Sequence, residues 1–108
     1  MQFGCMGNSI SSLNLNNNIH LERLWCDNNQ LTSLDLTKNT KLNVVKCSNN
    51  NLTGNLDISK IESLRNLDID LRLNPRLNII EVPQGFILFA ENNNRILKDP
   101  TAQWVEKP

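Results

Sequence analysis

The chain has 108 residues, which is enough for one domain but not for two independent cores. Eleven Lys and Arg residues balance eleven Asp and Glu residues, so the basic excess typical of proteins that bind nucleic acids or membrane surfaces is absent. The composition is narrow, since 19 Asn and 17 Leu residues make up a third of the chain. Asn is a poor helix former and a common turn residue, so this composition argues against a helical bundle and suggests an internal repeat.

The ends and the cysteines of the chain exclude several classes of protein. No apolar run approaches the ~20 residues that a membrane span needs, so we expect no membrane insertion. The first residues form no signal peptide, because they lack a charged leader followed by an apolar segment. Cys5, Cys26 and Cys47 stand 21 residues apart, whereas zinc sites use close pairs such as C-x-x-C. We therefore expect no metal site, and we interpret the cysteines as small apolar core residues.

A period of 21 residues aligns the apolar residues and the asparagines in columns. One complete row has the column residues Leu21, Leu24, Cys26, Asn29, Leu31, Leu34, Leu36 and Asn39. The first half of the row alternates as a short strand does, Asn29 marks a turn, and the second half predicts an extended return segment. One coil cannot bury its own leucines, but stacked coils form a continuous apolar column. The sequence therefore predicts a right-handed parallel solenoid with strands about 4.8 Å apart.

These columns carry a family resemblance. The segment LERLWCDNNQL at residues 21–31 resembles the signature L-x-x-L-x-C-x-x-N-x-L of leucine-rich repeats. Its continuation is similar to the 21-residue bacterial class of these repeats, sometimes called IRREKO and common in Bacteroidetes. The resemblance covers residues 1 to about 63 closely. It implies a leucine-rich-repeat solenoid with little helix and with short parallel strands on a concave face. It also implies a ligand-binding or adhesive protein, exported to the cell surface.

The later rows depart from this period. The third row takes an extra residue near Gly54. A new row opens at Leu64 and another at Leu77, only 13 residues later, with Asn74 aligned on Asn39. We therefore expect residues 1–82 to form about five coils, the fourth of them contracted.

The two ends of the solenoid are predicted to differ. Residues 83–108 are expected to form a C-terminal cap, in which Asp99 and Pro100 begin a short helix that reaches Lys107. At the other end Phe3 already occupies a strand column, and an open first coil exposes unpaired backbone. We expect the chain either to be a fragment of a longer protein or to meet a second copy at this edge, as a homodimer.

The candidate binding surface is the solvent-facing side of the sheet that lines the concave side of the solenoid. Trp25 is predicted to point into solvent there. Large aromatic side chains are used at binding surfaces because they bury a large area at a small entropic cost. The candidate ligand-binding residues on this face are Arg23, Trp25, Asp27, Lys46, Asn66, Asp68, Asp70 and Glu81. The early rows are basic and the later rows acidic, an arrangement that could orient a peptide. Charges on a sheet surface are, however, more often only solvated.

A catalytic or cofactor site is not predicted. His20 is the single histidine and has no nucleophile or carboxylate at the spacing of a known triad. Asp68 and Asp70 could share acid–base work or bind calcium, but no D-x-D-x-D-G loop is present. We expect no enzyme activity, no cofactor and no catalytic residues.

The sequence therefore favours a non-enzymatic binding module that recognises a protein, peptide or glycan around Trp25. The alternative is a structural unit that self-associates through its first coil. A third hypothesis, a binder of ice or mineral surfaces, has less support because Thr32, Thr37, Thr40 and Thr53 do not form one row.

Overall fold

A computed structural model describes residues 2–4, 6–62, 66–91 and 93–107, with backbone only for residues 88, 89 and 91. The elements within these residues, in chain order, are β1 (Gln2–Gly4), β2 (Arg23–Trp25), β3 (Val44–Lys46), β4 (Gly54–Asp57), β5 (Asp68–Asp70), β6 (Leu77–Pro83), α1 (Phe86–Glu91), β7 (Ile96–Leu97) and β8 (Gln103–Lys107). The short strands and single short helix agree with the predicted solenoid of little helical content.

The strands form two parallel sheets. Sheet A has the order β1-β2-β3-β5-β7, and sheet B has the order β4-β6-β8. In sheet A the paired residues are Phe3, Leu24, Val45, Ile69 and Ile96, so successive coils advance by 21, 21, 24 and 27 residues. The chain is thus a parallel β-solenoid of four complete turns, and the predicted fold class is confirmed.

One apolar cluster fills the inside of the coils. It includes the inward residues of sheet A, such as Leu24 and Val45, and those of sheet B, such as Leu56 and Ile80. Cys26 and Cys47 are fully buried in the same cluster. The interpretation of these two cysteines as core residues is confirmed, while Cys5 lies outside the described residues.

Buried asparagines join each coil to its neighbour where the chain leaves sheet A. The Asn50 side chain accepts a hydrogen bond from the Leu31 amide at 3.0 Å and donates to the Cys26 carbonyl at 2.9 Å. Asn74 repeats both bonds one coil later, with the Leu52 amide and the Cys47 carbonyl, and Asn29 accepts the Ile10 amide of the coil before. A buried amide must be hydrogen-bonded to be tolerated, so this turn role, predicted from the Asn column, explains why the asparagines recur.

The prediction of a contracted fourth coil is wrong. Asn74 takes the place of Asn50 rather than that of Asn39, because its side chain accepts from the Leu52 amide and donates to the Leu71 carbonyl, at 3.2 and 2.9 Å. The coil that contains Asn74 is therefore longer than the 21-residue coils, since Ile69 pairs with Ile96, 27 residues later.

The cause of this error is a register ambiguity in β5. Leu67, Ile69 and Leu71 are all fully buried and alternate with polar residues. Since the side-chain period of a strand is two, a slip of two residues keeps the same face inward. The sequence pattern aligned Leu67 with Leu24, whereas Ile69 occupies that column in the structure.

The segment expected to open a fifth row on the concave face lies elsewhere. β6 pairs with β4 and β8 in sheet B, on the return side of the coils. The extra residue near Gly54 is visible as a register shift, since Gly54 pairs with Leu77 but Asn55 pairs with Ile79. Gly54 has a φ of 70°, a conformation that favours glycine.

The predicted C-terminal helix is a strand. β8 completes sheet B, and Trp104 lies opposite Ile80. The Asp99 carboxylate does not cap a helix but accepts the backbone amides of Leu73 and Asn74 at 2.9 and 2.8 Å. The helix of this region is α1, in the connection between β6 and β7, where Phe86 contacts Trp104 edge-on at 5.7 Å.

Candidate functional site

The outer face of sheet A brings five of the predicted site residues together. Across the strands, Arg23 aligns with Val44 and Asp68, and Trp25 aligns with Lys46 and Asp70. Neighbouring strands are about 4.8 Å apart, so these side chains form one continuous surface. We call it the Trp25 face and define it by Arg23, Trp25, Lys46, Asp68 and Asp70.

The space beside Trp25 is open on one side. Trp25 is half-buried and ends β2, with Lys46 opposite on β3 and Gly4 opposite on β1. Its two chain neighbours aside, a Cβ atom added at Gly4 would meet no atom within 4 Å. The indole therefore lies next to Gly4, a strand position where no side chain fills the space.

Most charges on the Trp25 face neutralise one another. Lys46 Nζ lies 2.7 Å from Asp68 Oδ1. Arg72 donates to Asp70 through both Nε and Nη2, at 3.0 and 2.8 Å. The Arg72 hydrogen bond lowers the pKa of the Asp70 carboxyl, against the smaller opposing effect of burial.

The early rows were expected to be basic and the later rows acidic. Because these charges form ion pairs with near neighbours, the face does not carry this separation of charge. Arg23 is exposed, and among the described residues no ion pair includes it. Its guanidinium is thus the available cation beside Trp25.

Asp27 ties two coils together just beyond β2. Its Oδ1 accepts the Ser48 amide at 2.7 Å and the Ser48 hydroxyl at 2.8 Å. A carboxylate held by two hydrogen bonds to the next coil supports the turn rather than projecting freely. The sequence predicted its position on this side of the molecule but not this structural role.

Besides Asp27, two predicted site residues lie outside the Trp25 face. Asn66 lies in a turn two residues before β5, because β5 begins later than the sequence pattern indicated. Glu81 lies in sheet B, opposite Asp57 and Val105. Their assignment to the concave sheet is wrong, and both errors follow from the lengthened coils.

Glu81 belongs instead to a cluster that secures the last strand. Lys107 Nζ lies 2.8 Å from Asp57 and 3.5 Å from Glu81. The hydrogen bond to Asp57 raises the pKa of Lys107. Burial alone would raise the pKa of Asp57, but hydrogen bonds from Lys107 and Ser59 outweigh it and lower the pKa. This cluster joins β8 to β4 and β6.

A groove beside Leu73 was not predicted from the sequence. It is an open groove of about 460 Å³, lined by Asn49, Leu73, Pro75, Asp99, Pro100 and Thr101. Leu73 is 62% exposed and has a φ of 61°. Aligned correctly, the preceding coils carry Asn28 and Asn49 at this position, so the replacement of Asn by Leu was the available signal.

The described residues offer no metal centre and no membrane-spanning helix. No group of three or more His, Cys, Asp or Glu side chains among them is placed to hold a metal ion. None of their helices has the length and apolar character needed to cross a bilayer.

Comparisons with known proteins add no family to this description. The chain matches no protein-family model, no curated protein and no solved structure. The resemblance to leucine-rich repeats stays a prediction from the sequence columns.

Proposed function

We propose that the chain is a non-enzymatic binding module that recognises a protein, peptide or glycan on the Trp25 face. The observation that supports this function most strongly is the half-buried Trp25 beside the open position at Gly4. A tryptophan on a sheet surface can bury a large area against a ligand while losing little side-chain entropy. Both peptide side chains and sugar rings can pack on an indole.

The backbone beneath Trp25 is fixed before any ligand arrives. Leu24 and Val45, on the inner side of β2 and β3, are fully buried. The turn that follows β2 is held by the buried side chains of Asn29 and Asn50. A rigid strand presents the indole in one orientation, which reduces the ordering cost of binding.

Polar groups surround the indole and can complete the recognition. Arg23 lies two residues before Trp25 on the same outer face and offers its guanidinium to a carboxylate or a hydroxyl group. Lys46 and Asp68 are partly exposed, at 26% and 40% of their side chains, so their ion pair can exchange partners with a ligand. An apolar centre with a polar rim is the usual composition of a binding hot spot.

The test is a search for ligands followed by substitution of Trp25. A library of random linear peptides displayed on phage and a glycan array are both probed with the intact chain. Retained probes are then titrated against the wild type and against Trp25→Ala by isothermal calorimetry. We expect Trp25→Ala to weaken binding by about 30-fold, the effect typical of a hot-spot residue.

The matched control is Thr32→Ala, which removes an exposed side chain from the return side of the second coil. This variant is expected to bind as the wild type does. Equal affinity of the wild type and Trp25→Ala for every retained probe would contradict the proposed site. Retention of no peptide and no glycan would count against the binding function.

A second candidate function, self-association, is favoured by the surface of the first coil. Phe3, Ile10 and Leu13 are only partly buried, and Met6 and Ile19 are 57% and 52% exposed. β1 is an edge strand of sheet A, and edge strands can pair with another chain. Light scattering after size-exclusion chromatography at about 100 μM checks this proposal, because even micromolar dimers are populated at that concentration. A strictly monomeric chain would rule it out.

A further inference from the structure

We propose that the groove beside Leu73 is a second binding site, distinct from the Trp25 face, for linear peptides. The Leu73 groove is the surface lined by Asn49, Leu73, Pro75, Asp99, Pro100 and Thr101. The peptides it fits carry an aliphatic side chain next to a lysine or an arginine.

The first observation is a residue that the fold itself disfavours. Three consecutive coils place a residue in the left-handed conformation at this turn: Asn28, Asn49 and Leu73, with φ values of 61°, 55° and 61°. Asn tolerates this conformation, whereas Leu adopts it at an energetic cost. The Asn49 side chain also donates to Asn28 Oδ1 at 2.7 Å, and Leu73 cannot continue this amide ladder. Leu73 therefore occupies a position where Asn would be the more stable choice.

Leu73 is also held firmly in its exposed position. Its backbone amide donates to Asp99 Oδ1 at 2.9 Å, and the next amide, of Asn74, donates to Asp99 Oδ2 at 2.8 Å. The Asn74 side chain is itself buried and bonded to the Leu71 and Cys47 carbonyls. Strained, exposed residues that are fixed by their surroundings are typical of functional sites, because a preformed surface binds with less loss of entropy.

The shape and chemistry of the groove favour an aliphatic side chain. Its apolar lining comes from Leu73, Pro75 and Pro100, which lie on two successive coils. A volume of about 460 Å³ leaves ample room for the side chain of a leucine, isoleucine or methionine. The two prolines have restricted backbones, which adds to the rigidity of the groove.

The charges beside the groove favour a basic neighbour for that side chain. An adjoining hollow of about 350 Å³ is lined by Ser48, Asp70, Arg72, Leu73 and Asp99. Arg72 is bound by Asp70, while the Asp99 carboxylate accepts backbone amides and enters no ion pair within the described chain. Asp70, Arg72 and Asp99 together give this hollow one net negative charge, which a lysine or arginine of the ligand would complement.

The experiment uses the full chain and a phage library of random linear peptides. Peptides that bind the Trp25→Ala variant are selected, which removes ligands that depend on the other face. The consensus peptide is then titrated by isothermal calorimetry against the wild type, Leu73→Asn and Leu73→Met. We expect Leu73→Asn to bind at least tenfold more weakly with an equal or higher thermal midpoint, and Leu73→Met to retain binding.

Two controls separate this site from general effects. Val105→Asn removes another exposed aliphatic side chain and is expected to leave the affinity unchanged. A consensus peptide with its basic residue replaced by glutamate is expected to bind at least tenfold more weakly. Unchanged affinity of Leu73→Asn, a lowered thermal midpoint of that variant, or a consensus without basic residues would each overturn the proposal.

The remaining occupant of such a groove is a second copy of the chain. Light scattering of the wild type and of Leu73→Asn decides between a peptide and a copy. A wild-type dimer that becomes monomeric on Leu73→Asn would overturn the peptide assignment, and equal masses would support it. Failure of this proposal leaves the Trp25 face untouched, because the two sites are tested with different variants.

Discussion

The 21-residue coils and the longer coils enclose the same apolar column, but they close it in different ways. In the first two coils the return side has no assigned strand, and the buried Asn39 side chain joins the coils by donating to the Leu15 and Asn18 carbonyls at 3.0 and 2.9 Å. In the longer coils the return side is sheet B. Ile61 takes the place of Asn39 there, since its amide repeats the same turn hydrogen bond, to Ile58.

This difference shows what the additional residues of the longer coils accomplish. A tight coil leaves too few residues for a strand on the return side, so isolated backbone bonds, such as that from the Gln30 amide to the Ile10 carbonyl at 2.9 Å, and polar turn side chains connect it to its neighbour. Coils with three or six further residues form a strand on the return side. Continuous backbone pairing in sheet B then connects each of these coils to the next. Side chains on that side are free for other contacts, such as Trp104 with Phe86 and Lys107 with Asp57.

The largest expected effect concerns the amide ladder of the short coils. Asn50→Ala leaves the buried Leu31 amide without its partner and removes one of the two side-chain amides that donate to the Cys26 carbonyl. An unsatisfied buried polar group costs about 1–3 kcal/mol, so we expect the free energy of unfolding to fall by about 3 kcal/mol. Urea denaturation measures this loss. Asn51→Ala, at the exposed neighbouring position, should change stability by less than ~0.5 kcal/mol.

A smaller effect is expected at the aromatic contact of the long coils. Trp104 is half-buried, contacts Phe86 edge-on, and lies 5.6 Å below the Lys98 ammonium group. Trp104→Ala removes the apolar area and both ring contacts, and we expect a loss of about 2 kcal/mol. Thermal and urea unfolding are the measurements, with exposed Val105→Ala on the same strand as the matched control. A loss as small as that of Val105→Ala would mean that the backbone of sheet B is sufficient to close the long coils.

The smallest effect is expected at Asp57 and should depend on pH. The pKa of Asp57 is lowered in the folded chain, so its stabilising contribution is complete above the unfolded value near 3.8 and is lost as the pH falls below it. Asp57→Asn should reduce the free energy of unfolding at pH 7 by less than about 1 kcal/mol, since the pair is partly exposed. The difference from the wild type should vanish near pH 2.

The partner of Asp57 supplies the check on this interpretation. In a Lys107→Gln background, Asp57→Asn should have a clearly smaller effect at pH 7, because the ion pair is already absent. An effect of Asp57→Asn that persists at low pH would instead assign the loss to the hydrogen bonds with Ser59.

The fold was predictable where the sequence constrains many columns at once. Leu24, Cys26 and Asn29 each recur 21 residues later, and together they allow only one alignment. β5 was misplaced because Leu67 and Ile69 fit the same buried column equally well. Asp99 and Pro100 predicted a helix from local preference, whereas pairing with β6 makes the following residues a strand.

The candidate sites show the same limit. Trp25 was correctly placed on the outer face of its strand, because its neighbours Leu24 and Cys26 set the alternation. The partners of its surrounding charges were not predictable, since they depend on which residues of later coils lie opposite. The Leu73 groove depends on the same register and on a backbone angle that no side-chain pattern indicates.

The spacing of the sheet A pairs has a consequence for how the chain folds and opens. Every pair joins residues 21, 24 or 27 positions apart, so no strand of this sheet depends on distant parts of the chain. Stability in such a stack is a sum of contributions from each coil and its nearest neighbours. Amide hydrogen exchange should therefore be slowest at β3, in the middle of sheet A, and faster toward β1 and β7. We therefore expect the outer coils, which have a neighbour on one side only, to open before the coils in the middle of the stack.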